Sequence, residues 1–168
     1  ITVTADIDFN NATGDNSLSL EALGNIFVNA NISDTAGADQ QLNLNLSANG
    51  SVSLAAGKTI DLFNGTLDVA STATSFDSSA AGASLVTTGA ITIDTSGTIA
   101  FGNVTAGTLT ANSSGAITQA GGTTVSVAGT STFNTSGSAL TLDSATNNFA
   151  GVTLTNATIV KLADVDDI

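Results

Sequence analysis

Cysteine, histidine, arginine, proline, methionine, tryptophan and tyrosine are all missing from this chain of 168 residues. Without cysteine there is no disulfide framework and no thiolate metal site. Lys58 and Lys161 are the only basic side chains, and the net charge is −12. Phosphate binding needs clustered Lys and Arg, so no nucleic-acid partner is expected. An anionic membrane surface is disfavoured for the same reason, and the charge reads as solubility and self-repulsion. No apolar run is long enough to span a bilayer, so no membrane insertion is expected. Aromatic residues are limited to seven Phe, which leaves little to stack on sugar rings.

Small and aliphatic residues fill the space. Ala, Gly, Ser, Thr, Asn, Leu, Val and Ile make up most of the chain, with the apolar ones regularly spaced. This is not a disordered composition. It suits narrow coils, in which small residues turn corners and aliphatics fill a thin interior.

The clearest order is a repeat. Gly107-Thr108-Leu109-Thr110 is followed by Asn112 and Ser114-Gly115. Twenty-two residues on, Gly129-Thr130-Ser131-Thr132 is followed by Asn134 and Ser136-Gly137. Gly151-Val152-Thr153-Leu154, with Asn156, reads as a third copy. Periods of this length mark solenoids, whose repeats bury their apolar sides by stacking on their neighbours.

Earlier in the chain, Ile1-Thr2-Val3-Thr4-Ala5-Asp6-Ile7 matches Ile26-Phe27-Val28-Asn29-Ala30-Asn31-Ile32. Each is followed by a polar turn, at residues 10–16 and 33–41, and then by an alternating strand beginning at Leu18 or Leu42. Strict alternation puts one face in the core and one in water. From Gly50, three short strands with Gly at the corners make one triangular coil. Residues 71–84 are looser, with Phe76 as the one large apolar residue, and read as a projecting loop or an irregular coil. The unit at Gly50 is expected to recur at Gly89, Gly115 and Gly137.

No sustained helical period occurs, and connections this short leave no room for crossover helices. The expected fold is therefore all-β: a single parallel β-helix over residues 1–168, with coils of roughly 22–26 residues. About seven coils at ~4.8 Å each would make a rod on the order of 35 Å long. Inward positions are assigned to Val52, Leu54, Ile60, Leu62, Leu67, Ile91, Ile93, Ile99, Phe101, Leu109, Ile117, Val125, Val127, Leu140, Leu142, Val152 and Leu154. The chain opens in mid-strand at Ile1 and shows no charged end repeat. It is expected to be a segment of a much longer protein, with ends open to lateral or end-to-end self-association.

Several phrases resemble the filamentous-haemagglutinin-like exoproteins, large bacterial adhesins exported by the two-partner route. They are Gly24-Asn25-Ile26-Phe27-Val28-Asn29-Ala30, Gly50-Ser51-Val52-Ser53-Leu54-Ala55-Ala56-Gly57, Gly115-Ala116-Ile117-Thr118-Gln119 and the run from Leu140 to Val152. The resemblance implies a right-handed parallel β-helix shaft on the outside of a Gram-negative cell. It also implies a transporter partner for the parent chain, and a role in attachment, aggregation or biofilm matrix. The secretion domain of that family and any recognisable tip are not in this stretch.

Three constellations bear on binding. Thr108/Thr110, Thr130/Thr132 and Thr153/Thr155 are expected to align as two outer rows, which could contact an extracellular polysaccharide, ice, or a host or bacterial surface. The bland alternative is that Thr is simply a good exposed strand residue. Asn112, Asn134 and Asn156 are expected to form a structural amide ladder along a corner. Asp6/Asp8, Asp61/Asp68 and Asp164/Asp166/Asp167 match no metal-ligand spacing, so no metal or cofactor is expected. Catalysis is not expected either. A polysaccharide lyase needs a base beside a neutralised uronate, and a hydrolase needs converging carboxylates. Here the two lysines lie far apart and no carboxylate set is legible.

Overall fold

The computed structural model describes residues 1–9, 14–34 and 41–166. The polar turns expected at 10–16 and 33–41 lie largely outside them, as does Asp167.

Alternation decides the local structure. In Leu42–Ala48 every second residue is buried, and the Asn and Ser between them face outward. Such strands cannot bury one face alone, so they stack. The first coil holds β1 (Thr2–Val3), β2 (Ile7–Asp8) and β3 (Asn16–Ala22). The second holds β4 (Ile26–Val28), β5 (Ile32–Ser33) and β6 (Leu42–Ala48). The third holds β7 (Ser51–Leu54), β8 (Thr59–Asp61) and β9 (Leu67–Val69). The fourth holds β10 (Ser75–Asp77), β11 (Ser84–Val86) and β12 (Ala90–Thr95). The fifth holds β13 (Ile99–Phe101), β14 (Asn103–Ala106) and β15 (Thr108–Ser113). The sixth holds β16 (Ile117–Gln119) and the long β17 (Val125–Asn134). The seventh holds β18 (Ala139–Leu142) and β19 (Asn148–Thr155), and β20 (Ile159–Leu162) starts the eighth.

Each coil lays one segment on each of three faces. The first face is an eight-stranded sheet, β1-β4-β7-β10-β13-β16-β18-β20. The second stacks β2, β5, β8, β11, β14 and the start of β17; the third stacks β3, β6, β9, β12, β15 and the end of β17. β17 crosses the corner between them, joining both faces into one twelve-stranded sheet, and β19 lies along both its halves. The strand pairings among the described residues are parallel, as in β3 on β6 over seven residues. The fold is a parallel β-solenoid of about seven turns.

On the first face the core column runs Ile26, Val52, Phe76, Ile99, Ile117 and Leu140, and its register continues to Val160, which is exposed on the last turn. The steps are 26, 24, 23, 18, 23 and 20 residues, so two coils are shorter than expected. The 18-residue coil saves its length at Gly102, which alone joins β13 to β14. Its N–H donates to the Ser78 hydroxyl one coil away, at 3.2 Å.

Fifteen of the seventeen inward assignments are buried, and each large aliphatic removed from water contributes about 1.5–3 kcal/mol. Val152 and Leu154 differ. They continue inward columns above Ser131 and Phe133, but no described strand covers β19 on the third face. Leu154 is therefore 41% exposed.

Residues 71–84 need correction. They contain β10, in register with β7 below and β13 above, and Ala73, Phe76, Ser78 and Ala83 are all buried. The stretch is an ordinary coil whose inward positions other than Phe76 are small, and the buried Ser78 hydroxyl has its hydrogen bond with Gly102. The recurrence of Gly50 at Gly89 also fails. Gly89 belongs to the corner before the third face: Ile91 pairs with Leu67, and Gly107 donates to the Gly89 carbonyl at 2.9 Å. Gly129 donates in turn to Gly107 at 2.7 Å. Chains pass so closely here that a β-carbon on Gly89 would lie 2.2 Å from the Gly65 carbonyl oxygen.

Candidate functional site

The third face carries the polar array. Its central outward row runs Ser19, Asn45, Asp68, Thr92, Thr110, Thr132, Thr153. Thr110, Thr132 and Thr153 align as neighbours, and Thr92, which the repeat did not point to, adds a fourth rung. The second row is shorter than expected. Thr108 has Ala90 on one side, and Thr130 pairs with Gly151 rather than with a threonine. Thr155 falls in a third row, opposite Asn134. The slip has a physical cause: Val127 pairs with Phe149 but Thr130 with Gly151, so β17 carries one extra residue at its corner.

The two ends of this row differ chemically. In the lower part, Asn45 donates to the Ser17 and Ser19 hydroxyls at 3.2 and 3.4 Å. Among the described residues, the hydroxyls of Thr92, Thr108, Thr110, Thr130, Thr132 and Thr153 have no partner within the chain. Inward hydroxyls contrast with these. Thr87 donates to the Gly65 carbonyl at 2.5 Å, Thr95 to Gly97 at 3.2 Å, Ser113 to Gly97 and Gly115, and Thr135 to Ser138 at 2.7 Å. These four reinforce the corners, and two of the carbonyls they reach, Gly97 and Ser138, also accept the backbone N–H groups of Gly115 and Thr158 one coil on.

The expected asparagine ladder is not made. Asn112 and Asn134 are register neighbours, but Asn112 donates to Asp94 at 2.7 Å and Asn134 accepts from the Ser136 N–H at 3.1 Å. Asn156 lies one residue beyond Thr155, the partner of Asn134, and has a left-handed backbone (φ 54°). The coil-to-coil asparagines are others. Asn25 accepts the Ser51 N–H at 2.9 Å, Asn31 that of Thr59 at 3.0 Å, Asn43 that of Thr66 at 3.1 Å and Asn103 that of Thr124 at 3.1 Å. Each side-chain oxygen satisfies a backbone donor at or beside the start of a strand one coil on. Gln119 and Asn147 form the one reciprocal amide pair among the described residues, with bonds of 2.8 and 2.9 Å.

The carboxylates are redistributed by the fold. Asp61 joins Asp8, not Asp68: Asp8, Ser33 and Asp61 form one outward column on the second face. With Asp6, Asn31 and Thr59 they line a shallow groove of about 370 Å³. The Asn31 backbone N–H, then its side-chain amide, hold Asp6 below the usual carboxylate range, with Lys58 adding a smaller push. Among the described residues, no three acidic side chains come close enough together to hold a metal ion. Asp68 sits on the third face, where partial burial and then the Asp94 charge push it above its ordinary value. Asp164 accepts the Phe149 N–H at 3.0 Å, while Asp166 is exposed.

Residues 88–156 match a family described as repeats of unknown function (DUF5649). The matched stretch runs from the corner before β12 to the corner after β19, and includes every unengaged threonine of the array. The chain is a repeat protein. No curated protein and no solved structure matches it.

Proposed function

We propose that the chain is a structural shaft segment of a secreted or cell-surface bacterial adhesin of the filamentous-haemagglutinin-like kind. It would serve attachment, aggregation or biofilm matrix by setting distance rather than by chemistry. The observation that carries this reading is the uninterrupted parallel stack. Eight strands on the first face and seven rungs on the others are bonded coil to coil, around one aliphatic core. Such a stack is quasi-one-dimensional, so its length follows from the number of coils. The resemblance of its phrases to exported adhesin repeats supports a location outside a Gram-negative cell and a transporter partner for the parent chain.

Antibodies raised against residues 1–168 test the proposal on the cells that make the parent protein. Labelling of intact cells, or of their matrix, is the expected result. Labelling only after lysis would refute it.

A further inference from the structure

We infer that the upper third face, centred on Thr92, Thr110, Thr132 and Thr153, is a binding surface for an uncharged polysaccharide. The inference goes beyond the shaft reading, which stands whether or not this face binds anything.

Three observations carry it. First, the register sets four threonines in one outward row, flanked by Thr108 and Thr130 on one side and by Asn112 and Asn134 on the other. Rungs are ~4.8 Å apart, and alternate residues along a strand are about 6.6 Å apart, so the polar groups form a grid. Second, the six threonine hydroxyls of the grid have no partner among the described residues, whereas the corner hydroxyls of the same coils are bonded. A hydroxyl both donates and accepts, so each is open to a ligand that does the same. Third, charge selects the ligand. No lysine lies on this face, and Asp68 and Asp94 stand at its lower end. A uronate or sulfated chain would meet like charge with no cation to offset it, while a neutral glycan would not. The face also lacks aromatic residues. Each rung therefore contributes little, and affinity depends on one chain engaging several rungs together.

Affinity electrophoresis of the purified chain through gels containing dextran, amylose or laminarin tests this, with polygalacturonate as the anionic comparison. At least one neutral glycan is expected to retard the protein saturably, and polygalacturonate is not. Thr110→Val with Thr132→Val keeps the β-branched shape and removes two hydroxyls, and is expected to weaken binding about tenfold. Thr110→Ser with Thr132→Ser keeps the hydroxyls and is expected to retain it. Thr141→Val, on the first face, is expected to change nothing. No retardation by any neutral glycan would overturn the inference. So would equal binding by the valine variant, or equal loss in the serine variant. Thermal hysteresis without glycan binding would also overturn it, assigning the grid to ice instead.

Discussion

A β-carbon added to Gly107 would stand 2.0 Å from the carbonyl oxygen of Thr88, one coil below. The obstacle is backbone, which cannot swing aside as a side chain could. Gly65, Gly89 and Gly107 share this restriction, and it is steric: none of the three has a left-handed φ. Gly107→Ala is therefore expected to destabilise the chain by about 1–3 kcal/mol. Gly151→Ala, where nothing lies within 4 Å, is expected to stay within about 0.5 kcal/mol of the parent. Denaturant unfolding of both variants checks the pair, and equal midpoints would contradict the packing described.

Asn103→Ala leaves the Thr124 N–H without its acceptor. The expected loss is about 1 kcal/mol, and Asn103→Asp, which keeps an oxygen at the same place, is expected to recover most of it. Thermal melts at neutral pH measure this. Equal loss in both variants would mean that the oxygen is not what matters.

Ser131 interrupts an otherwise apolar inward column between Leu109 and Val152, and its buried hydroxyl has no partner among the described residues. Removing an unsatisfied buried hydroxyl relieves a desolvation penalty. Ser131→Ala is expected to raise stability by about 1 kcal/mol, against the general trend for core truncation. A lower unfolding midpoint would show that the hydroxyl is satisfied in solution.

Asp68 gives a pH dependence of defined sign. Its folded pKa is raised, so the folded state holds its proton more tightly than the unfolded chain does. Stability from this group falls as pH rises from about 4 through the raised value, and stays lower at neutral pH. Water screens the site, so Asp68→Asn is expected to gain only about 0.3 kcal/mol at pH 7, and nothing at pH 3. Asp6 behaves oppositely: its contribution is present above about pH 4 and is lost as pH falls through its lowered pKa. Melts of Asp68→Asn at both pH values test the sign.

Ile91 lies inside, between Leu67 and Leu109. Ile91→Asp buries a charge with no cation near it and is expected to cost several kcal/mol. An unchanged melt would invert the inside and outside of the third face.

Much of this architecture was legible in the sequence, because alternation in stretches such as Leu42–Ala48 states which face is buried. Identical strings also placed Thr110 against Thr132 correctly. Thr153 is misplaced by matching it to Thr130, a step of 23, whereas the extra residue in β17 leaves a step of 21 that sets it opposite Thr132. A bulge leaves no mark in composition. Residues 71–84 hid their strand because serine and alanine fill narrow inward positions as well as they fill loops. The asparagine contacts could not be read at all. Asn43 and Thr66 meet only once coil length and register are known, and the step from coil to coil varies here from 18 to 28 residues.

The central claim is that the molecule is a stack whose length counts its coils. Residues 76–98 make one complete coil, since Phe76 and Ile99 are register partners. Small-angle scattering of a chain carrying three extra tandem copies of 76–98 tests the claim directly. The maximum dimension is expected to grow by about 14 Å while the cross-section stays constant. Growth in every direction, or loss of the folded state, would contradict the stacked-coil account.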